Sequence, residues 1–476
     1  MKPPVAKLAT SILLFLLFSL GVASGGLKVD ESGRFLVEED KPFFYLADTA
    51  WELLHRLSKA EAETYLKHRA RAGFNVVHVA IIPELNGLNA PNAEGLLPLR
   101  DNDPSQPDRR YFRRLDELLD YAEAQGLHLG LVPAWGDKWN RRWGMGPEIF
   151  NENNARGFGE FLGSRYEGRK VIWILGGDRN PENPEHHAVI QAMAEGLRKG
   201  HRGRNLMTFF PMAGDSSSRW FHENDWLDLN MVHSGQRRRA ITNYDLIAAD
   251  LARTAKKPVL DGGSSLEDHP IAWNKQNGSF NDTDVRRQAW WAVLSGACGH
   301  IYGNHNLWQM WTPARESVLG ANIPWVEALE QPGGSQMKHL KKIYSQTGWL
   351  KAAQDLIKSP NPEGVNHFRC GASQAMNLAV VYLPEGGKVK MDLSAMKGNR
   401  CDIWQLNPRT GVKTDPIEYS DLKNINLSSP KVGPGEDWVF LIQTKLEGVK
   451  ESSAKKEDEG KTSVKPAPGS SESKAP

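Results

Sequence analysis

Cysteine is scarce in this sequence, and charge of one sign does not predominate. Among 476 residues there are three cysteines, Cys298, Cys370 and Cys401, and their spacing matches no metal-binding motif. Cys370 and Cys401 lie in one late segment, so an exported protein could join them, but all three are equally compatible with buried thiols. The 59 basic and 57 acidic residues leave a net charge of +2. Because the net charge is close to zero, the protein as a whole does not attract nucleic acid, and any ligand must be recognised by local groups of side chains.

Long apolar runs are lacking except near the N-terminus. Lys2 and Lys7 precede an apolar run at residues 12–22, and small residues follow at 23–26. The run is too short to cross a bilayer, which needs about 20 residues. We therefore expect residues 1–26 to be a signal peptide and the protein to be secreted or periplasmic, with no membrane contact after cleavage. An uncleaved anchor is the alternative.

The rest of the chain divides into three segments of different composition. Residues 27–355 alternate short apolar strands with segments of helical period, which indicates a parallel sheet built from βα units. Residues 356–446 carry short alternating runs separated by Gly, Pro and Asn turns, typical of a small antiparallel β-sandwich. Residues 447–476 have almost no apolar content, and we expect a disordered tail.

Eight strands are expected in the first segment, which favours a closed (β/α)8 TIM barrel. Ser58 and Glu61 form the sequence signature of a capping box, and Gly73 stands where a left-handed residue would end that helix. A doubly wound open sheet would give the same alternation, but no glycine-rich phosphate loop follows the first strand. The expected strands are residues 43–46, 76–82, 128–133, 171–175, 207–210, 228–231, 258–260 and 299–302.

Polar side chains follow nearly all of these strands, at the barrel end where catalytic groups stand. A single Asp after a strand is usually a helix cap or a turn residue, but carboxyl, imidazole, amide or indole side chains follow seven of the eight strands. Asp178 is the best catalytic candidate because it follows a fully apolar strand and two glycines. Its partner is expected after strand seven, where the sequence offers Asp261 and the pair Glu267 and Asp268. The expected substrate-binding residues are Asp48, Trp51, His55, Trp135, Asp137, His233, Asn304, His305 and Trp308.

Carbohydrate is the ligand that suits this set of side chains. The chain has sixteen tryptophans, and indole faces stack on sugar rings, although tryptophan also fills ordinary cores. Carboxyl pairs supply the acid and the base or nucleophile of glycoside hydrolysis. The adjacent His186 and His187 would point in different directions on a helix, so they do not form a metal pair. We expect no metal, no other cofactor and a monomer.

Several blocks of the sequence, in order, resemble the apiosidase-like glycoside hydrolases of family 140. They are FYLADTAWEL at 44–53, GFNVV at 73–77, LPL at 97–99 with NDP at 102–104, PAWGD at 133–137, GGDRN at 176–180, DVRRQA at 284–289, and YGNH at 302–305 with WQM at 308–310. The resemblance covers nearly all of residues 30–350. The later β segment resembles a module named for collagen binding, which often follows this barrel.

The resemblance implies a (β/α)8 fold and hydrolysis of a glycosidic bond, with members acting on apiose in a branched pectin. It places the family's acid carboxylate at Asp178. The second carboxylate is expected in a block that reads Asp-Gly-Glu-Pro, and here residues 261–268 read DGGSSLED, so that Gly263 stands in place of the glutamate.

Three interpretations of this departure stay open. Glu267 is itself the catalytic partner; or Asp261 has taken over; or the chain has lost hydrolysis and kept sugar binding. A glycine has no side chain to act as a nucleophile or base. The sequence therefore predicts a secreted glycoside hydrolase, with a carbohydrate-binding barrel as the alternative and a structural surface protein as a third class.

Overall fold

The computed structural model describes residues 26–201 and 205–446, so the expected signal peptide, except residue 26, and the expected tail lie outside the described residues. A small antiparallel sheet precedes the barrel. One of its carboxylates, Glu38 Oε1, lies 2.8 Å from His128 Nε2 at the start of a barrel strand, which fastens the sheet to the amino-terminal end of the barrel. Its strands are β1 (Lys28–Val29), β2 (Leu36–Glu38) and β3 (Lys41–Phe43).

Eight parallel strands form the expected barrel. They are hydrogen-bonded in the order β8-β7-β6-β5-β4-β12-β11-β10, and the short β9 pairs antiparallel with β10. At the remaining seam the Asp228 N–H donates to the Met207 carbonyl at 2.9 Å, and the Thr208 hydroxyl donates to the Leu229 carbonyl at 2.9 Å. The strands are β4 (Tyr45–Thr49), β5 (Val76–Ala80), β6 (His128–Val132), β7 (Val171–Leu175), β8 (Met207–Phe209), β9 (Asp215–Ser216), β10 (Asn230–His233), β11 (Val259–Asp261) and β12 (Gly299–Tyr302).

Helices connect the strands and start and stop where their local signals require. The Ser58 side chain accepts from the Glu61 N–H while the Glu61 carboxylate accepts from the Ser58 N–H, and Gly73 adopts φ +94° just past the helix end. The helices are α1 (Leu53–Arg56), α2 (Lys59–Arg71), α3 (Arg109–Ala124), α4 (Glu152–Arg165), α5 (Pro184–His201), α6 (Ser218–Phe221), α7 (Asn243–Leu251), α8 (Asp282–Leu294), α9 (His305–Trp308), α10 (Trp325–Ala328) and α11 (Pro332–Thr347).

The barrel has two apolar layers, and β7 shows how one strand serves both. Val171, Trp173 and Leu175 pack in the cluster between the strands and the helices. Ile172 and Ile174 pack in the cluster that fills the barrel interior. Because successive side chains point to opposite faces, a strand covered on both faces must be apolar throughout. This explains why β7 is an unbroken apolar run.

The C-terminal segment forms the expected small antiparallel β domain. A six-stranded sheet, in the order β13-β14-β15-β20-β17-β18, packs with a two-stranded sheet of β16 and β19 around its own apolar cluster. Cys370 and Cys401 lie buried in that cluster as free thiols, and Cys298 is a free buried thiol in the barrel. The strands are β13 (Leu350–Ala352), β14 (Arg369–Ser373), β15 (Leu378–Leu383), β16 (Gly386–Met391), β17 (Arg400–Leu406), β18 (Ile417–Tyr419), β19 (Ile425–Val432) and β20 (Trp438–Lys445).

The two domains share a buried ionic contact. The Arg286 guanidinium on α8 donates to both oxygens of Asp437 at 2.7 and 2.9 Å, and the Tyr382 hydroxyl donates to the same carboxylate at 2.9 Å. An apolar cluster containing residues of α8, α11, β15 and β20 surrounds it. The boundary between the domains was expected at residue 355. Because β13 (Leu350–Ala352) already belongs to the C-terminal sheet, that domain begins a few residues earlier.

Candidate active site

A cavity of about 280 Å³ opens at the carboxyl ends of the barrel strands. Among its lining residues are two carboxyl side chains, Asp178 after β7 and Glu84 after β5. Most of the remaining wall is aromatic or aliphatic. A largely apolar cavity with a few converging polar groups is the usual form of a small-ligand site.

The turn that presents Asp178 cannot be built without glycine. Gly176, Gly177 and Asp178 are consecutive left-handed residues, with φ of +99°, +71° and +59°. A Cβ on Gly177 would stand 2.6 Å from the backbone nitrogen of Gly136, and one on Gly176 would stand 2.4 Å from the carbonyl oxygen of Phe210. The two glycines adopt these angles without strain, whereas Asp178 is a non-glycine residue in the left-handed region, and strain of this kind is kept where it positions a functional group.

Glu84 and Asp178 are linked by one guanidinium. Arg179 Nη2 lies 3.7 Å from Glu84 Oε1, and Arg179 Nη1 lies 4.0 Å from Asp178 Oδ2. The guanidinium is itself fixed, since Nη1 donates to the Asp178 carbonyl at 2.8 Å and its carbon stands 3.6 Å from the centre of the Trp143 ring. The carboxyl groups keep 29% and 20% of their side-chain surface accessible, for Asp178 and Glu84 respectively. Both carboxyl groups are therefore open to a ligand in the cavity.

The surroundings raise the pKa of both carboxyl groups. Burial raises the pKa of Asp178 to about 8; Arg179 opposes this effect and the charge of Glu84 adds to it. Burial also raises the pKa of Glu84 to about 7, against the attraction of Arg179 and with the repulsion of Asp137. Near neutral pH, Asp178 keeps its proton while Glu84 is partly ionised.

His233 occupies the space beside Gly263. A Cβ on Gly263 would stand 2.1 Å from His233 Cδ2 and 2.6 Å from its Nε2. The ring stacks on Phe210 with centroids 4.7 Å apart, and Nδ1 lies 2.9 Å from the Pro211 carbonyl and 3.5 Å from Asp178 Oδ1. Burial lowers the pKa of His233 to about 4, so the imidazole is neutral at neutral pH. The position where a glutamate side chain was expected is thus filled by a neutral ring.

Aromatic rings form the floor and the mouth of the cavity. Trp51 packs against Trp135 and Phe210 with centroids 5.1 and 5.7 Å apart, which makes one continuous aromatic surface. Trp273 lines the cavity from the loop after β11, and Trp308 lines it from the end of α9. Trp51, Trp135, His233 and Trp308 from the predicted set of binding residues therefore lie around Asp178.

Neither carboxyl group expected after strand seven lines this cavity. Asp261 is fully buried and accepts from the Ser234 hydroxyl at 2.9 Å and from Asn243 Nδ2 at 2.9 Å. Glu267 points outward to the start of α11, where it accepts from the Tyr302 hydroxyl at 2.5 Å and from the Gly333 N–H at 3.2 Å. Both carboxylates accept hydrogen bonds from neighbouring protein groups outside the cavity, so the structure does not bring either of them together with Asp178.

Three other expected binding residues are also turned away. Asp48 lies behind the strands, where it accepts from the Tyr65 hydroxyl and pairs with Arg69 Nε, both at 2.5 Å. His55 is held between the Glu52 carboxylate at 2.8 Å and the Ala90 carbonyl at 3.1 Å. Asp137 is buried against Lys138 Nζ at 2.8 Å. None of the three lines the cavity. Protein groups satisfy His55 and Asp137, whereas Asp48 Oδ1 has no hydrogen-bond partner among the described residues but is buried away from the cavity.

The last two expected residues shape the loop after β12. Asn304 caps α9, with its side chain accepting from the N–H groups of Asn306 and Leu307. His305 is buried, and its Nε2 lies 3.1 Å from the Val318 carbonyl. Neither residue lines the cavity. Both stabilise the segment after β12, which forms part of the cavity wall.

Sequence reasoning did not assign several residues that line the cavity. Glu84 was visible as a polar residue after β5, but nothing in its spacing separated it from a turn residue. Phe210 directly follows β8, within an expected strand, but was not assigned to the site. The others come from loops whose course no local pattern fixes: Trp143, Gln236, His269 and Trp273. In the described part of the chain, no group of three or more His, Cys, Asp or Glu side chains converges in a way that could hold a metal ion.

Comparison with known families agrees with this geometry. The family described as "Apiosidase-like, catalytic domain" matches residues 30–351. The chain belongs to this family. It is a glycoside hydrolase of the TIM-barrel type, as the resemblance in its sequence implied. The family described as "Putative collagen-binding domain of a collagenase" matches residues 352–443, and no curated protein matches the chain.

Solved structures similar to this apiosidase-like protein are glycoside hydrolases. A family 5 enzyme from Bacteroides vulgatus has 29% sequence identity and a TM-score of 0.82, with 88% of this chain and 93% of that chain covered. A second structure, described as a glycoside hydrolase, has 28% identity and a TM-score of 0.81, with 88% and 97% covered. The likeness therefore extends over both domains.

Proposed function

We propose that this protein hydrolyses a glycosidic bond by acid–base catalysis with Asp178 and Glu84. The observation that carries the proposal is the pair itself: two carboxyl groups face one cavity, contact one guanidinium, and have pKa values of about 8 and about 7. Two carboxyl groups that face one site and have raised pKa values are suited to serve as the acid and base of such an enzyme.

Each carboxyl group has one role in the proposed mechanism. Protonated Asp178 donates its proton to the glycosidic oxygen as the bond to the leaving group breaks. Ionised Glu84 takes a proton from the attacking water and stabilises the positive charge that develops on the sugar ring. Trp51 and Trp135 offer apolar ring faces, inclined at 59° to each other, for the sugar ring. Within the described residues, the Nε2 atom of neutral His233 has no protein hydrogen bond and is available to a hydroxyl.

Apiose within a plant-type polysaccharide is the substrate that we propose. The description of the family supports this sugar.

Export is proposed from the pattern at residues 1–26, and mass determination of the mature N-terminus tests it. Within residues 26–201 and 205–446, no helix has the length and hydropathy needed to cross a membrane.

Release of reducing sugar from apiose-bearing pectin oligosaccharides tests the mechanism, with Asp178→Asn and Glu84→Gln compared with wild type. Each substitution keeps the shape of the side chain and removes its acid–base function. We expect each to lower kcat by about 10²–10⁴-fold, because proton transfer contributes about that factor. Full activity in Glu84→Gln would exclude Glu84 as the base.

A sugar-binding protein without turnover is the second candidate function, and the glycine at position 263 favours it. The family pattern has a carboxylate there, and in this chain the His233 ring fills the space. If the wild type binds the oligosaccharides in calorimetry but releases no sugar, the binding function is correct and the acid–base proposal fails.

A further inference from the structure

A second cavity, of about 840 Å³, lies on the flank of the barrel at α3 and α4. Arg100 comes from the loop before α3, Arg109 and Arg113 from α3, and Arg165 from the end of α4. Asp116 is the one acidic residue among those that line it. We call this cavity the arginine cleft.

One of the four arginines is already neutralised. Arg165 holds Asp116 through two parallel hydrogen bonds, Nε to Oδ1 at 3.0 Å and Nη2 to Oδ2 at 2.5 Å. The acidic charge of the lining is thus used within the protein. The positive charges of Arg100, Arg109 and Arg113 remain uncompensated by the other residues that line the cleft.

The three remaining arginines differ from their neighbours on the same surface. Arg110, Arg114 and Arg169 each have a carboxylate partner, which is Asp108, Glu94 and Glu123 respectively. By contrast, Arg100, Arg109 and Arg113 have no side-chain hydrogen bond or ion pair within the part of the chain that the structure describes. Asp103 does not line the cleft, but its carboxylate accepts hydrogen bonds from Ser105 and Gln106, which do.

We propose that the arginine cleft binds the anionic groups, carboxylate or sulfate, of an acidic polysaccharide. Arginine presents a planar fork of donors that matches such groups, and it gives up its hydration more readily than lysine does. Phe161 adds an apolar face to the lining. Ser105 and Gln106 each donate a side-chain hydrogen bond to Asp103, at 2.8 and 2.9 Å, so their oxygens rather than these donors would face a ligand hydroxyl. The proposal rests on the proposed function in one respect, namely that the protein acts on a polysaccharide.

The cleft is connected to the candidate active site by one loop. Glu84 stands near the start of the β5–α3 loop, and Arg100 and Ser105 stand near its end. Asn102 Nδ2 donates to Asn89 Oδ1 at 3.0 Å within that loop, which links its two halves. A polysaccharide held in the cleft is therefore bound beside the loop that carries the proposed base.

Affinity electrophoresis of the full chain tests the proposal, with polygalacturonate and dextran sulfate as charged probes and methyl-esterified homogalacturonan and dextran as their uncharged counterparts. We expect retardation by at least one charged polymer and none by the uncharged ones, weakening as salt rises. The triple variant R100Q/R109Q/R113Q removes the unpaired charges, and we expect its affinity to fall at least about tenfold. The charged polymer that binds identifies the anionic group.

A matched control separates a specific cleft from general charge attraction. The variant K351Q/K388Q/K423Q loses the same charge from exposed lysines of the C-terminal domain, and we expect its affinity to equal that of wild type. Equal weakening in both triple variants, or no retardation of wild type by either charged polymer, overturns the proposal. Asp178→Asn should keep the wild-type affinity, so failure of hydrolysis and failure of binding are distinguishable.

Discussion

At the scale of single residues, the direction of each carboxyl group decides its chemistry. Asp178 and Glu84 face the cavity and keep part of their surface accessible, whereas Asp261 and Glu267 face structural donors. Burial raises the pKa of all four. A raised pKa therefore does not identify a catalytic group unless the group also faces a ligand site.

The pH dependence of kcat/KM follows from the two pKa values in the cavity. The proposed mechanism needs Glu84 ionised and Asp178 protonated, so the rate should rise as the pH increases through about 7 and fall above about 8. Because the groups interact, both limbs belong to the pair. A rate profile from acidic to alkaline pH measures them; a flat profile across both values would contradict the assignment.

Glu267 can be tested as a structural residue. Glu267→Gln keeps the size of the side chain but puts an amide where the Tyr302 hydroxyl and the Gly333 N–H both donate. We expect unchanged kcat/KM and a loss of about 1–3 kcal/mol in the free energy of unfolding, since one buried donor loses its acceptor. Denaturant titration and the oligosaccharide assay measure the two effects. A large fall in kcat at unchanged stability would restore Glu267 as the catalytic partner.

Gly263→Glu alone should not create a better enzyme. The new side chain would collide with the His233 ring, 2.1 Å from its Cβ, so we expect a loss of about 1–3 kcal/mol in stability and no gain in rate. His233→Ala combined with Gly263→Glu makes room for the carboxylate. This double variant should be more stable than the single glutamate variant and more active than His233→Ala. Thermal unfolding and initial rates provide the check.

At the scale of elements, the glycine turn after β7 fixes the position of Asp178. Gly177→Ala would place a Cβ 2.6 Å from the Gly136 nitrogen at φ +71°. Gly126 has a similar φ of +75°, but a Cβ added there would have no atom within 4 Å. Gly126→Ala is therefore a control with the same backbone strain and no collision. We expect kcat to fall at least about tenfold only in Gly177→Ala, because small displacements of catalytic groups are costly. Similar rates in both variants would contradict this role.

At the scale of the whole molecule, the Arg286–Asp437 contact joins the barrel to the C-terminal domain. Both side chains are almost fully buried, with 1% and 0% exposure. Asp437→Asn would remove the fully buried carboxylate from Arg286 and leave it with the more accessible Asp282 at 2.8 Å, so we expect a cost below the about 3–5 kcal/mol of an unpaired buried charge. The neighbouring Glu436→Gln makes the same charge change in a more accessible ion pair, and we expect little effect. Calorimetry should show one unfolding transition in wild type and a transition at a lower temperature in Asp437→Asn.

Much of this protein was determined by its sequence alone. Strand and helix periods, the capping box at Ser58 and the turn glycines gave the barrel and the β domain, because these signals act over a few neighbouring residues. That Asp178 lies at the cavity could be predicted, because two glycines after an apolar strand form a local signal. Which other carboxyl group shares the cavity could not, because the side chains of Glu84, Asp261 and Glu267 are directed by contacts with distant parts of the chain. Only tertiary structure decided that Tyr302 and the start of α11 take Glu267, and that His233 fills the space at Gly263.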